Sequence, residues 1–268
     1  MISDVLYIIL YRIVGYRKKI VTQNISLVFP NKSSSEKKEI IRSFYLHFCD
    51  LIVEGIKAFN MSDASILKRY PITGYESTFD HFEEGRDIIV SCAHQGNWEW
   101  ASLACPLFFR HKCAVIVTPL TDPYLNRKIN NSRSRNGYDL VPKDMFRQYT
   151  EEKGGVPKAI FFLSDQSPSN PKNAYWTPFV GVDSPVQYGV EKYAKQLKAP
   201  VYYIEIKKVK RGYYQGHVSL LIEDPTTKDY GEIVEKVTET ISQSIYDRPS
   251  DWLWSHRRWK HKKNGIKN

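Results

Sequence analysis

The sequence has no CxxC pair, no zinc-type Cys/His spacing, no GxSxG elbow and no secretory signal with a cleavage site. Each absence removes a class of protein. Without metal spacing, the four cysteines, Cys49, Cys92, Cys105 and Cys113, build neither a zinc site nor a disulfide framework. Cys92 and Cys113 sit inside apolar strand-like runs, where free cysteine behaves as a small core residue. A reduced, cytoplasmic-facing protein is the expectation. Without a serine elbow, and with no cysteine beside a histidine, there is no ready nucleophile for an acyl-enzyme. Long apolar runs are also missing. Val5–Leu10 is apolar but Arg12 interrupts the run, short of the roughly 18 residues that a spanning helix needs. Repeats and low-complexity tracts are absent too.

What is present is an ordinary globular composition, 268 residues with 42% hydrophobic and 25% charged, carrying a net charge of +10. That charge, with a pI near 9.2, points to an anionic partner. Its distribution says more than its sum. Residues 1–19 hold Arg12, Arg17, Lys18 and Lys19 against Asp4, a net +3. Residues 256–268 hold Arg257, Arg258, Lys260, Lys262, Lys263 and Lys267 with no acid, a net +6. Only +1 is left for the 236 residues between. The body is nearly neutral and the ends are basic.

The N-terminal apolar run with a basic cluster after it fits the end of a longer anchor, an interfacial helix or an ordinary core helix. Residues 35–59 are spaced as an amphipathic helix, with Ser34 or Ser35 as N-cap. Strand and helix patterns then alternate: strand over 87–93, helix 99–109, strand 113–119, helix 123–134, brief strand 139–142, strand 159–166, helix 186–198, strand 200–210. Residues 213–223 pair antiparallel with the last of these across the Arg211-Gly212 turn, and a helix covers 232–246. The fold class expected is α/β, a single domain with a mostly parallel mixed sheet covered by helices, behind an N-terminal helical segment. The division is 1–60 for that segment and 61–268 for the α/β domain with its basic tail.

The chemistry concentrates in SCAHQGNWEW, residues 91–100. An apolar strand runs into His94, a glycine, and Glu99 at the mouth of a helix. Ligands of open α/β sheets collect beyond the carboxyl ends of strands. A histidine there can act as general base while a carboxylate holds its ring. Taken alone, the pair is equally a structural histidine beside a helical acid. Asp165-Gln166 ends the strongest strand, so it opens onto the same sheet edge.

His94-Gln95-Gly96-Asn97-Trp98-Glu99 resembles the HxxxxE motif of the lipid A biosynthesis acyltransferases, a branch of the glycerolipid acyltransferases. Five further blocks keep that family's order. They are Arg17-Lys18-Lys19 with Asn24 through Pro30, Asn126-Arg127 through Arg135-Asn136-Gly137, Ser164-Asp165-Gln166, Thr177-Pro178-Phe179-Val180-Gly181, and Trp252 through Lys260. Typical members begin with a longer hydrophobic segment than this chain offers.

The resemblance implies transfer of a fatty acyl chain from a thioester to a hydroxyl of a lipid A precursor, at the cytoplasmic face of a bacterial inner membrane. His94 would deprotonate the hydroxyl, with Glu99 orienting and charging it, and no acyl-enzyme would form. Arg127 or Arg135, or backbone N–H groups near Gly96 and Asn97, would meet the oxyanion; either arginine would equally hold a phosphate. Asp165 would orient an arginine or contact a sugar hydroxyl, unless it is a plain loop cap, and Gln166 beside it would bind substrate. Trp98, Trp176 and Phe179 would line an acyl pocket, although core packing is the commoner fate of such residues. His256 reads as a tail residue near the membrane. No metal and no cofactor are expected. The donor would be an acyl carrier protein or coenzyme A thioester, and the partners that carrier, an anionic membrane surface and a phosphorylated glycolipid acceptor.

Two other readings stand beside this one. The first is acylation of another lysophospholipid or glycolipid with acyl-coenzyme A. The second, a nucleic-acid-binding protein, is disfavoured because the basic residues are confined to the ends and not interleaved with aromatics.

Overall fold

The computed structural model describes residues 2–117, 121–152 and 154–263. Residues 118–119 of the expected second strand, and Lys267 of the basic tail, lie outside them. In chain order the larger elements are α1 (Ile2–Tyr7), which continues as a π-helical turn over Ile8–Val14, then α2 (Lys18–Val28), α3 (Ser34–Ala58), α4 (Asp63–Arg69), β1 (Ile72–Thr73), α5 (Phe79–Glu83), β2 (Ile88–Cys92), α6 (Trp98–Phe108) and β3 (Lys112–Val117). They continue with α7 (Pro123–Ser134), β4 (Asp139–Pro142), α8 (Phe146–Glu151), β5 (Lys158–Leu163), β6 (Tyr175–Phe179), β7 (Val182–Val186), α9 (Gly189–Leu197), β8 (Val201–Lys210), β9 (Tyr213–Ile222) and α10 (Glu232–Asp247).

Among the described residues, seven strands form one sheet in the order β1-β9-β8-β2-β5-β3-β4. All its pairs are parallel except β8–β9. The α/β class and the mostly parallel sheet are as expected. β2 lies inside the sheet and all five of its residues are buried. Strand side chains alternate between faces. Ile88, Val90 and Cys92 join the core layer that holds Trp100, Leu103 and Ala104 of α6, while Ile89 joins the layer built by Ile233, Val237 and Ile241 of α10. Helices therefore cover both faces.

The long helix starts one residue earlier than its pattern indicates. Ser33 is the N-cap, because Glu36 stands three residues on. The Glu36 N–H donates to Ser33 Oγ at 3.3 Å, and the Ser33 N–H donates to Glu36 Oε2 at 2.8 Å. The expected helix over 186–198 is shortened to α9, because Val182–Val186 pairs with β6 in an antiparallel hairpin. No described helix is long and apolar enough to cross a membrane.

Residues 17–24 meet residues 254–256. Asn24 Nδ2 of α2 donates to the carbonyls of Trp254 and His256 at 2.8 and 2.9 Å, and Arg17 to that of Ser255 at 3.0 Å. The C-terminal segment then lies across the end of β2. Gln95 and Trp252 form an isolated antiparallel bridge, Leu253 N–H donates to the His94 carbonyl at 3.1 Å, and Gly96 N–H to that of Asp251 at 3.0 Å.

Candidate active site

β2 and β5 are parallel neighbours in a register that sets Cys92 beside Leu163. Their next residues leave the sheet together. This brings His94 to Asp165, with Nδ1 2.8 Å from Oδ1. Asp165 is 1% exposed, and its second oxygen accepts from the Trp252 indole at 2.8 Å. Burial by itself pushes the Asp165 carboxyl up. The adjoining His94 ring and the Trp252 hydrogen bond outweigh that, so its pKa lies below the usual carboxylate range. The carboxylate is therefore ionised at neutral pH, and Nδ1 of the ring carries the proton it accepts. Gln166 Nε2 stands 3.2 Å from His94 Nε2 and donates to it. Both neighbours select the same tautomer, leaving the lone pair on Nε2. Trp98 meets the ring edge-on, centroids 5.3 Å apart.

Glu99 does not hold His94. It lies in the first turn of α6 and takes a two-pronged contact from Arg133 of α7, Nε to Oε2 at 3.0 Å and Nη2 to Oε1 at 2.6 Å. Arg133 falls in the arginine-bearing block yet is neither of the arginines that the sequence singles out. Those two are placed differently. Arg127 is exposed on α7, and Arg135 reaches the carbonyls of Ala58 and Phe59 at 3.4 Å. The helical periodicity of α7 carries no mark that separates position 133 from 127, and only the packing of α7 on α6 selects it.

Asn97 is buried and structural. Its side-chain oxygen caps α6 by accepting from Trp100 N–H at 2.9 Å, and Nδ2 donates to Glu54 at 2.8 Å. Gly96 N–H is occupied by Asp251, which removes it as an oxyanion donor; the N–H groups of Asn97 and Trp98 have no partner among the described hydrogen bonds. Asp165, fully buried, holds histidine and tryptophan in place of the expected arginine or sugar hydroxyl.

The three aromatics expected to line a pocket are dispersed. Trp98 is at His94, Trp176 is half-buried in the β6–β7 hairpin, and Phe179 is fully buried against Trp252 and Trp259. His256 is drawn in with the C-terminal segment. It is half-buried, accepts the Ser167 N–H at 3.3 Å, and burial first, then its cationic neighbours, push its pKa down to about 4. Arg258 is wholly buried, its guanidinium 4.4 Å above the Phe179 ring. Among the described residues no cluster of His, Cys, Asp or Glu is suited to a metal ion.

The arrangement can take a proton from a hydroxyl at His94 Nε2 and stabilise the imidazolium that results. A family model described as bacterial lipid A biosynthesis acyltransferase matches residues 3–261. The chain is 20% identical over 254 residues to a lipid A biosynthesis palmitoleoyltransferase of Escherichia coli strain K12, covering 91% of this chain and 79% of that one. It has the same identity and coverage with a lipid A biosynthesis acyltransferase of Shigella flexneri.

Proposed function

The chain belongs to the bacterial lipid A biosynthesis acyltransferase family, and from that membership we propose that it moves a fatty acyl chain from an acyl carrier protein thioester to a hydroxyl of a lipid A precursor. The observation that carries the mechanism is the pair of contacts that leaves His94 Nε2 as a free base. The acceptor hydroxyl displaces the Gln166 amide and gives its proton to Nε2 as its oxygen attacks the thioester carbonyl. Asp165 stabilises the imidazolium. The tetrahedral oxyanion collapses, the carbon–sulfur bond breaks, and His94 returns the proton to the departing thiolate. Ester and thiol are the products, and no acyl-enzyme is required.

In this reading Asp165 takes the orienting role that the HxxxxE spacing gives to Glu99. Glu99 instead fixes the Arg133 guanidinium near the same turn, where it serves a phosphate of the acceptor or the developing oxyanion.

Attachment to the cytoplasmic surface of the inner membrane is supported by the N-terminal surface. Ile2, Val5, Ile8, Ile13 and Val14 are each more than half exposed, and Ile56 of α3 is 66% exposed. Such an apolar face, with Arg17, Lys18 and Lys19 next in the chain, suits an anionic interface.

The test is an acyl-transfer assay with a lipid A precursor in anionic vesicles, acyl carrier protein and coenzyme A thioesters being offered in parallel. Wild type is expected to use the carrier-protein donor and to sediment with the vesicles. His94→Ala should lower kcat by at least about 10²-fold with folding unchanged. Retained turnover refutes the role of His94, and transfer confined to other glycolipids or lysophospholipids refutes the acceptor.

A further inference from the structure

Beneath the His94 turn, α3 carries a buried polar cluster that the acyl-transfer mechanism does not use. His47, Asp50 and Glu54 are 3%, 3% and 6% exposed. His47 Nε2 lies 3.2 Å from the Gly96 carbonyl oxygen, and Nδ1 lies 3.2 Å from Lys208 Nζ. An ammonium group only donates, so Nδ1 is the acceptor and the ring proton sits on Nε2. Lys208 is held for this purpose by Asp50 at 2.9 Å, and Asp50 also meets Arg211 at 2.8 Å. Arg211 in turn pairs with Asp4 of α1 at 2.9 Å. Burial, then the Lys208 cation, push the His47 pKa down to about 3, so the ring is neutral.

The consequence lies in the peptide that His47 grips. Gly96 has φ +59, a left-handed conformation, and its own N–H is fixed on Asp251. A trans peptide is planar, with C=O and N–H pointing in opposite directions. Holding the Gly96 carbonyl toward α3 therefore turns the Asn97 N–H away from α3. Rotation of this peptide would reverse that N–H without disturbing His94 or Asp165.

We propose that His47 is a positioning residue for acyl transfer, its neutral Nε2–H holding the Gly96–Asn97 peptide so that the Asn97 N–H faces the tetrahedral oxyanion formed beside His94. The inference rests on the acyl-transfer reading. Glutamine and asparagine separate the two ring contacts. The Gln amide nitrogen overlies His Nε2 and reaches Gly96, whereas Asn reaches only as far as Nδ1 and keeps the Lys208 contact.

The expected result is that His47→Gln keeps kcat within a few-fold of wild type while His47→Asn loses about 10²-fold or more, the size of effect known for one oxyanion donor. KM for the acyl thioester should stay within about twofold in both, since the donor acts on the transition state. Equal kcat values in the two variants overturn the proposal, because only glutamine reaches the Gly96 carbonyl. A readout free of substrate is the ¹⁵N spectrum of the wild-type histidines, in which His47 is expected as the neutral Nε2–H form down to about pH 5. A Nδ1–H tautomer or a protonated ring overturns the lock. Wild-type protein that shows the expected tautomer but transfers no acyl chain refutes the functional reading and leaves the lock standing.

Discussion

The carboxylate that touches His94 and the carboxylate nearest in sequence are different residues, and replacing each with its amide separates their roles. Asp165→Asn preserves shape but offers an N–H where Nδ1–H needs an acceptor, which favours the wrong tautomer. A fall in kcat of about 10²-fold or more is expected, in the manner of other His–carboxylate pairs. Glu99→Gln leaves the His94 contacts intact and loosens Arg133. Its effect should fall more heavily on KM for the phosphorylated acceptor, with kcat reduced less than in Asp165→Asn. Steady-state kinetics of the two variants decide the matter, and the reverse ranking would return the orienting role to Glu99.

At the scale of elements, the turn after β2 is the critical piece, because it is clamped from both sides. Asp251 and Leu253 hold it from the C-terminal segment and His47 from α3. Gly96 is required there on two counts. Its φ is +59, and a Cβ would lie 2.5 Å from the Ile206 side chain. Gly96→Ala should cost about 2 kcal/mol from the left-handed backbone alone, more with the clash. Displacement of the turn should also lower kcat at least tenfold, which thermal unfolding and the transfer assay read together. The β6–β7 hairpin shows a different side of element-level reading. Its two-residue turn is Val180-Gly181 with φ +50 and +76. A β-branched residue is strained in that region, so the turn keeps the glycine of the Asn-Gly signal by which hairpins are recognised but not its first residue. Ser242 Oγ accepts the Val180 N–H at 3.0 Å, one of the tertiary contacts that hold it. By contrast, α7 and β4 occupy the residues their patterns indicate, since local period and turn chemistry suffice for them.

For the whole molecule, the N-terminal helical region and the C-terminal segment close on one another through Asn24, Arg17 and the Trp254–His256 carbonyls. The same closure delivers Trp252 to Asp165 and His256 to the site. Folding also buries histidines in neutral form, His47 and His111 as well as His256, and this makes stability depend on pH. His47 protonates near 6.5 when unfolded but only at about 3 when folded. Between those values the unfolded chain binds the extra proton, so stability falls as pH falls, approaching about 1.4 kcal/mol per pH unit for this one group. His111 and His256, each held to about 4, act in the same direction with a smaller effect because their folded values lie closer to the unfolded one. Glu54 and Asp251, whose carboxyls are pushed up by burial, act in the opposite direction as pH rises above their usual range. Denaturant unfolding at pH 7, 6 and 5 should show declining stability in wild type and a slope shallower by up to about one proton in His47→Gln. An unchanged slope would show that His47 is charged in the folded state.

The sequence by itself determined the alternation of elements, the strand that leads into His94, the near-neutral body with basic ends, and the placing of His94 and Asp165 at one edge of the sheet. These are readings of local period, local charge and the direction in which strands end. It also carried enough ordered motifs to indicate the family. Only the tertiary structure decided which acid meets His94, which arginine meets Glu99, and that His47 grips the turn from behind. The reason is physical. His94 and Asp165 are 71 positions apart and meet through the parallel register of β2 and β5, and the Arg133 contact depends on how α7 packs against α6. Strand pairing and helix packing are settled by burial across the whole core, a non-local balance that no window of sequence contains.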